Sequence, residues 1–137
     1  MRSVLFCFIG IFLLNVNQAF AQSLADSIEV KQKAGTVYMQ HGVKLKPKQL
    51  LKITEQNQEA YMIMKKAKSN YDIGSVIGSV GGFLIGWPLG TLIGGGDPNW
   101  AMAGVGVGLA VVSIPFYSAY NKHAKTAVRI YNDTLYQ

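Results

Sequence analysis

The feature that most constrains this chain is a pair of long segments without charged residues. Residues 73–96 and 98–121 contain no Asp, Glu, Lys or Arg, and only Asp97 separates them. About 20 residues of α-helix span the roughly 30 Å hydrocarbon core of a bilayer. Because turn-forming residues fill positions 94–99, the simplest prediction is two antiparallel membrane helices joined by a tight loop. The alternative is a soluble helical hairpin buried in a larger assembly.

The ends of these segments carry side chains that are typical of membrane surfaces. Half of the 137 residues are hydrophobic and only 15% are charged, and the basic residues flank the two segments. Tryptophan and tyrosine favour the membrane–water interface, and basic side chains favour anionic lipid. Ordinary solubilising charge is the alternative for the basic residues. We predict lipid-interface positions at Lys65, Lys66, Lys68, Trp87, Trp100, Tyr117, Tyr120, Lys122, Lys125 and Arg129.

Glycine recurs at every fourth position of the first segment. In water a glycine inside a helix costs about 1 kcal/mol relative to alanine, whereas in lipid small residues let two helices pack closely. A spacing of four favours a right-handed crossing. The glycines either join the two helices of one chain or drive self-association, and both alternatives stay open. We predict helix packing at Gly74, Gly78, Gly82, Gly86, Gly90 and Gly94, and at Gly104 and Gly108 of the second segment.

Two prolines interrupt the charge-free segments. Pro88 and Pro115 each remove one backbone donor, so we expect them to kink or end their helices.

This glycine pattern resembles that of the glycine-zipper class of small exported bacterial membrane proteins. The resemblance covers residues 73–120, and it rests on the Gly74–Gly94 series together with Gly104 and Gly108. The class is defined by a packing pattern and not by shared chemistry, and the resemblance implies a location in the cell envelope. Members of the class are often lipoproteins, and this chain lacks the acylated cysteine.

The first 21 residues have the pattern of a secretory signal peptide. Arg2 precedes an apolar stretch at residues 4–14, and Ala19-Phe20-Ala21 fits the small-x-small rule for cleavage. Cleavage there removes Cys7 and leaves a mature chain without cysteine, so no disulfide or thiolate chemistry is expected. The alternative is an uncleaved N-terminal anchor.

Residues 22–72 form the exported polar segment, for which we predict an α+β structure. Apolar and polar residues alternate around residues 28–31, 37–40 and 43–46, and Ala34-Gly35 and His41-Gly42 are predicted turns. Pro47 suits a helix start, and Asn57 is a candidate N-cap for a helix that continues into the membrane. This segment is expected to lean on the membrane, on a second copy or on a partner, because about 50 residues bury a marginal core.

The predicted fold class is therefore a mainly α membrane protein. It has a two-helix glycine-rich transmembrane hairpin and a small N-terminal α+β segment with a β-hairpin and one or two helices. Residues 73–96 hold the first transmembrane helix and the loop start, residues 97–121 the loop end and the second helix, and residues 122–137 a basic amphipathic tail.

The basic flanks conflict with the predicted export. Both flanks lie at the same end of the hairpin, which the positive-inside rule places in the cytoplasm, whereas a signal peptide places residues 22–72 outside it. Either the signal peptide dominates and the hairpin enters the inner membrane from the periplasmic face, or the chain passes the inner membrane and settles where that rule does not operate. We favour the outer over the inner membrane.

No pattern of catalytic residues is evident. The sequence lacks HExxH and GxSxG motifs, and its two histidines, His41 and His123, lie far apart. We predict a non-enzymatic envelope protein without a cofactor or metal, in which the hairpin anchors a small exported domain and oligomerises. Its expected partners are membrane lipids, copies of itself and an envelope protein, not nucleic acid. The alternatives are an oligomeric pore and a membrane-tethered peptide- or glycan-binding module.

Overall fold

The computed structural model describes residues 26–32 and 35–136 of the chain. Its elements, in order, are β1 (Glu29–Gln32), β2 (Thr36–Gln40), β3 (Val43–Lys44), α1 (Pro47–Ile53), a 3-10 turn (Thr54–Gln56), α2 (Gln58–Ile93) and α3 (Trp100–Leu135). The prediction of a mainly helical chain with two long apolar helices and a small N-terminal sheet is confirmed. The predicted signal peptide, including Cys7, lies outside the described residues.

The three strands form one antiparallel sheet in the order β1-β2-β3. Val30 lies opposite Tyr38, and Met39 lies opposite Lys44. The two-residue loop between β2 and β3 has φ of 51° at His41 and 75° at Gly42. A type I′ hairpin turn requires positive φ at both positions, so the turn predicted here is confirmed. The turn predicted at Ala34-Gly35 falls partly outside the described residues.

Local signals place the starts of α1 and α2. Pro47 is the first residue of α1, where its missing N–H needs no partner, and the Lys46 backbone N–H donates to Gln49 Oε1 at 2.8 Å. Asn57 caps α2, and its Oδ1 accepts a hydrogen bond from the Ala60 N–H at 2.9 Å. α2 then continues without a break from Gln58 to Ile93, as the sequence predicted for a helix that enters the charge-free segment.

α2 and α3 form an antiparallel hairpin of two 36-residue helices. At 1.5 Å per residue each helix is about 54 Å long. Gly95 takes a φ of 79° in the connecting loop, and the Asn99 side chain accepts a hydrogen bond from the Met102 N–H at 3.2 Å to begin α3. Pro88 and Pro115 lie inside their helices, so neither proline ends one.

The sheet and α1 pack against the N-terminal end of α2 and the C-terminal end of α3. We call this body, residues 26–32, 35–72 and 120–136, the head. The remaining residues 73–119 are the apolar hairpin. The head core consists of Ile28, Tyr38, Leu50, Ala60, Met64, Ala67, Tyr120, Ala124, Ala127, Val128 and Tyr131.

The last four turns of α3 supply much of the surface on which the N-terminal segment packs. Asn132 joins the two ends of the chain: its Oδ1 accepts from the Ile28 N–H and its Nδ2 donates to the Ile28 carbonyl, both at 2.9 Å. Residues 22–72 and 122–137 are predicted as separate segments, and the structure brings their described residues into one body. The supporting surface expected from the membrane, a copy or a partner is thus provided in part by the chain itself.

Candidate functional site

The apolar hairpin exposes most of its large hydrophobic side chains. Of the 18 exposed large hydrophobic residues in the described part of the chain, 14 lie between Ile73 and Ile114. Both long helices are long and apolar enough to cross a membrane, and only 11% of the most apolar 18-residue window of each is buried. A core helix of a soluble protein would have most of that window buried. The surface of the hairpin is therefore one that water solvates poorly.

Within the hairpin, α2 and α3 approach most closely at Gly81 and Gly106. A Cβ placed on Gly106 would lie 2.7 Å from the Gly81 carbonyl oxygen and 3.0 Å from the Ile85 backbone nitrogen. A Cβ on Gly81 would lie 2.9 Å from the Gly106 carbonyl oxygen. These distances are shorter than real Cβ contacts, so only glycine fits at either position. The closest contact is thus made by two glycines that are not among the predicted packing residues.

The buried positions of the long helices recur every seven residues. In α2 they include Ala60, Ala67, Gly74, Gly81 and Pro88. In α3 they include Gly106, Ser113, Tyr120 and Ala127. Seven residues turn a helix through about 700°, close to two full turns, so this seam stays on one face of each helix. A period of seven is typical of a shallow left-handed pair.

The glycines spaced by four follow a different path around α2. Each step of four residues rotates the position by about 40° relative to the helix face. Gly74 and Gly78 still face α3: a Cβ on Gly74 would lie 3.1 Å from Phe116 Cβ, and one on Gly78 would lie 3.6 Å from Ser113 Oγ. Gly82, Gly86 and Gly90 have rotated away from α3, and a Cβ on any of them would meet no atom within 4 Å.

The other predicted packing glycines make no contact with the opposite helix. Gly104 and Gly108 of α3 have open space where a Cβ would lie. Gly94 follows the end of α2, and the nearest atoms to its Cβ position are carbonyl oxygens of the preceding turn. These open positions do not pack against the other helix of the same chain, so their packing against a second molecule stays a prediction. They are Gly82, Gly86, Gly90, Gly104 and Gly108.

The predicted aromatic interface residues have different surroundings at the two ends of the hairpin. Trp87 and Trp100, near the loop, are exposed. At the head end, Tyr117 is half-buried, and its ring centroid lies 5.9 Å from that of Tyr71. Tyr120 is only 8% exposed and packs edge-on against Tyr38, with ring centroids 6.4 Å apart. Tyr120 is therefore buried in the head core and is not exposed as an interface residue would be.

The predicted basic interface residues lie on the outside of the head. Lys65, Lys66, Lys122 and Arg129 are exposed. Lys68 and Lys125 are half-buried, and the Lys68 ammonium pairs with the Asp72 carboxylate one turn further along α2.

A cleft of about 850 Å³ lies where the head joins the apolar hairpin. Tyr38, Tyr71 and Tyr120 contribute aromatic surface to it, together with Val37 and Leu45. The residues that contribute charge are Lys44, Lys46, Lys48, Lys68 and Asp72. Lys68 is the one predicted interface residue among these charged side chains. Lys44 and Lys46 belong to the predicted strand pattern at residues 43–46, and Lys48 follows the predicted helix start at Pro47.

Titratable groups in the described part of the chain do not form a recognisable catalytic arrangement. His41 lies in the β2–β3 turn, 3.5 Å from the Asp26 carboxylate, and His123 lies in α3. No cluster of three or more His, Cys, Asp or Glu residues suited to a metal ion occurs among the residues described. Burial raises the pKa of the Tyr38 hydroxyl well above its ordinary value, and the neighbouring Tyr120 adds to that effect.

No protein-family model, curated protein or solved structure matches this chain.

Proposed function

We propose that this chain is a non-enzymatic integral membrane protein of the bacterial envelope, in which the apolar hairpin anchors the head and mediates self-association. The observation that supports the anchor is the continuous exposed apolar surface of residues 73–119. A monomeric soluble protein rarely exposes such a surface. Lipid accommodates it, and helical hydrogen bonds satisfy most of the backbone groups within each helix.

Self-association is supported by the separation of two small-residue faces on α2. The seam that repeats every seven residues joins α2 to α3, and Gly81 lies at its closest point. The face formed by Gly82, Gly86 and Gly90 remains open and borders a shallow groove that Phe83 and Trp87 also line. Glycines spaced by four let a second helix approach closely in lipid and favour a right-handed crossing. We assign this outer glycine face to a contact with the same face of a second copy.

The test compares two leucine substitutions on exposed positions of α2. Gly86→Leu fills the middle of the outer glycine face, whereas Val76→Leu enlarges an exposed side chain elsewhere on the helix. We expect Gly86→Leu to raise the dimer dissociation constant in micelles at least tenfold, which corresponds to about 1.4 kcal/mol. Val76→Leu should leave it within about twofold. Energy transfer between labelled chains measures both, and equal dimerisation of the two variants would count against the self-association proposal.

The proposed location is the outer membrane after export. Two features support it: the signal-peptide pattern of residues 1–21 and the basic flanks at the same end of the antiparallel hairpin. If the head were exported and the hairpin stayed in the inner membrane, the basic flanks would lie on the periplasmic side, which opposes the positive-inside rule. Separation of inner and outer membranes on a density gradient tests the proposal, and recovery solely in the inner-membrane fraction would contradict it.

The apolar hairpin offers few polar side chains that could line a pore. Ser113, one of its few hydroxyl groups, is buried on the seam, and its Oγ donates to the Ala110 carbonyl oxygen at 2.7 Å. This hydroxyl faces the other helix of the same chain and is not available to line a channel.

A further inference from the structure

The cleft between the head and the apolar hairpin combines positive charge with an apolar wall. Lys44, Lys46, Lys48 and Lys68 line it, and Asp72 is the only carboxylate among its lining residues. The Asp72 carboxylate pairs with Lys68. The ion pairs of the described residues do not include Lys44, Lys46 or Lys48. The cleft therefore carries about three positive charges without a protein counterion, and an anionic group complements it.

The lysines converge because of the backbone between β3 and α1. Lys44 ends β3, and the chain stays extended through Lys46 before Pro47 begins α1. Side chains two apart in an extended segment point to the same side, so Lys44 and Lys46 share one face. Leu45, between them, packs against the head core and also lines the cleft. Lys48, in the first turn of α1, adds the third ammonium group.

The three tyrosines at the cleft pack on one another, and Tyr71 is the most exposed of them. The Tyr71 and Tyr120 ring centroids lie 5.2 Å apart, and Tyr38 packs against Tyr120 from the sheet side. About 850 Å³ is near the upper end of the volumes of small-molecule sites, and it far exceeds what a bare phosphate ion fills. An apolar wall beside basic side chains suits a ligand that is itself amphiphilic.

The position of the cleft identifies the source of that ligand. Three residues that line the cleft, Tyr71, Asp72 and Tyr120, lie where the two charge-free segments meet the head. If residues 73–119 lie in a bilayer, the cleft opens at the depth of the lipid headgroups. We propose that the cleft binds a membrane lipid with an anionic phosphate headgroup. The lysine ammonium groups contact the phosphate, and the acyl chains run along the apolar hairpin. This inference rests on the proposed function, because it requires the hairpin to be embedded.

The test uses the full chain in nanodiscs of phosphatidylcholine with a minority of phosphatidylglycerol. One variant replaces two cleft lysines (Lys44→Gln and Lys46→Gln). The control removes the same charge from exposed lysines that lie outside the cleft and outside the predicted lipid interface (Lys31→Gln and Lys52→Gln). Native mass spectrometry after gentle extraction measures the phosphatidylglycerol that remains bound to each chain.

We expect the cleft variant to bind phosphatidylglycerol at least tenfold more weakly than the unmodified chain, and the control to bind within about twofold of it. An equal loss in both variants would overturn the proposal, because it would show general attraction of a basic surface to anionic lipid. No loss in either variant would also overturn it. Inorganic phosphate that displaces the bound lipid at millimolar concentration would show a free-phosphate site instead.

Two further measurements keep the result interpretable. In the unmodified chain, phosphatidylglycerol should protect Lys44, Lys46 and Lys48 from amine acetylation relative to pure phosphatidylcholine. Equal labelling in both lipids would contradict the proposal, and this experiment needs no variant.

Resistance of the chain to alkaline extraction from phosphatidylcholine vesicles tests insertion alone. A chain that inserts but shows no cleft-dependent lipid overturns only this inference. A chain that does not insert overturns the proposed function as well.

Discussion

A methyl group at the closest approach of α2 and α3 should force the apolar hairpin apart. Gly106→Ala places a Cβ 2.7 Å from the Gly81 carbonyl oxygen, whereas ordinary contacts begin at 3.4 Å. The Ile85 side chain can rotate away, but the Gly81 carbonyl and the Ile85 backbone nitrogen belong to α2 itself. The two helices must therefore separate locally by about 0.7 Å, the difference between those two distances.

The expected cost follows from comparison with a neighbouring glycine. Overpacking of this kind costs about 1–3 kcal/mol. The gain from replacing glycine by alanine in a helix, up to about 1 kcal/mol, applies equally to Gly108→Ala, whose Cβ meets no atom within 4 Å. Gly106→Ala should therefore be about 1–3 kcal/mol less stable than Gly108→Ala. This difference corresponds to about 5- to 140-fold in the unfolding equilibrium constant.

The measurement is unfolding of the purified chain in mixed micelles with increasing SDS, followed by tryptophan fluorescence and far-ultraviolet circular dichroism. Trp87 and Trp100 flank the hairpin loop and report on its opening. If Gly106→Ala and Gly108→Ala have the same unfolding midpoint in SDS, the seam between α2 and α3 does not hold the helices together.

Two further predictions concern the head, and urea unfolding in micelles measures both. Asn132→Ala should destabilise the head by about 1–3 kcal/mol, because it leaves the Ile28 N–H and carbonyl without their partner. The control Asn70→Ala removes only an exposed hydrogen bond to the Lys66 carbonyl and should cost less than about 0.5 kcal/mol. Equal effects of the two substitutions would refute the role of Asn132. Burial raises the pKa of Tyr38 in the folded chain, so above about pH 10 the unfolded chain loses this proton first. The contribution of Tyr38 to stability should therefore be constant below that pH and fall above it by up to about 1.4 kcal/mol per pH unit. Tyr38→Phe should make that decline shallower, and an unchanged slope would contradict the assignment.

Local sequence signals predicted the boundaries of several elements correctly. Pro47 starts α1, Asn57 caps α2, and His41-Gly42 forms the hairpin turn. Each of these signals depends on a hydrogen bond or a backbone angle within a few residues. Such features are fixed by local chemistry and do not depend on the rest of the fold.

The packing within the hairpin was harder to predict because two periods overlap in one helix. Spacing by four is conspicuous in the sequence, and it drew attention to Gly82, Gly86 and Gly90, which face away from α3. The seam has a period of seven and uses alanine, glycine and proline, so no single residue type marks it. Gly81 was visible only as an extra glycine beside the regular series.

Long-range features of the head could not be predicted from local patterns. The Asn132 contact with Ile28 joins positions 104 residues apart. The cleft likewise combines β2, β3, α1, α2 and α3, so its lysines and tyrosines become neighbours only when the chain folds. Its local signals in the sequence are Lys44 and Lys46 of the predicted strand pattern and the predicted interface residues Lys68 and Tyr120.

The central claim, that lipid surrounds residues 73–119, can be tested by nitroxide labels at positions of similar exposure. In a chain with Cys7 replaced by serine, single cysteines replace Val76, Val105 and Met62, which are 65%, 59% and 52% exposed. In nanodiscs, the labels at Val76 and Val105 should relax strongly with oxygen and weakly with a water-soluble nickel chelate, and the label at Met62 should do the reverse. Strong relaxation by the nickel chelate at all three positions would contradict a membrane-embedded hairpin.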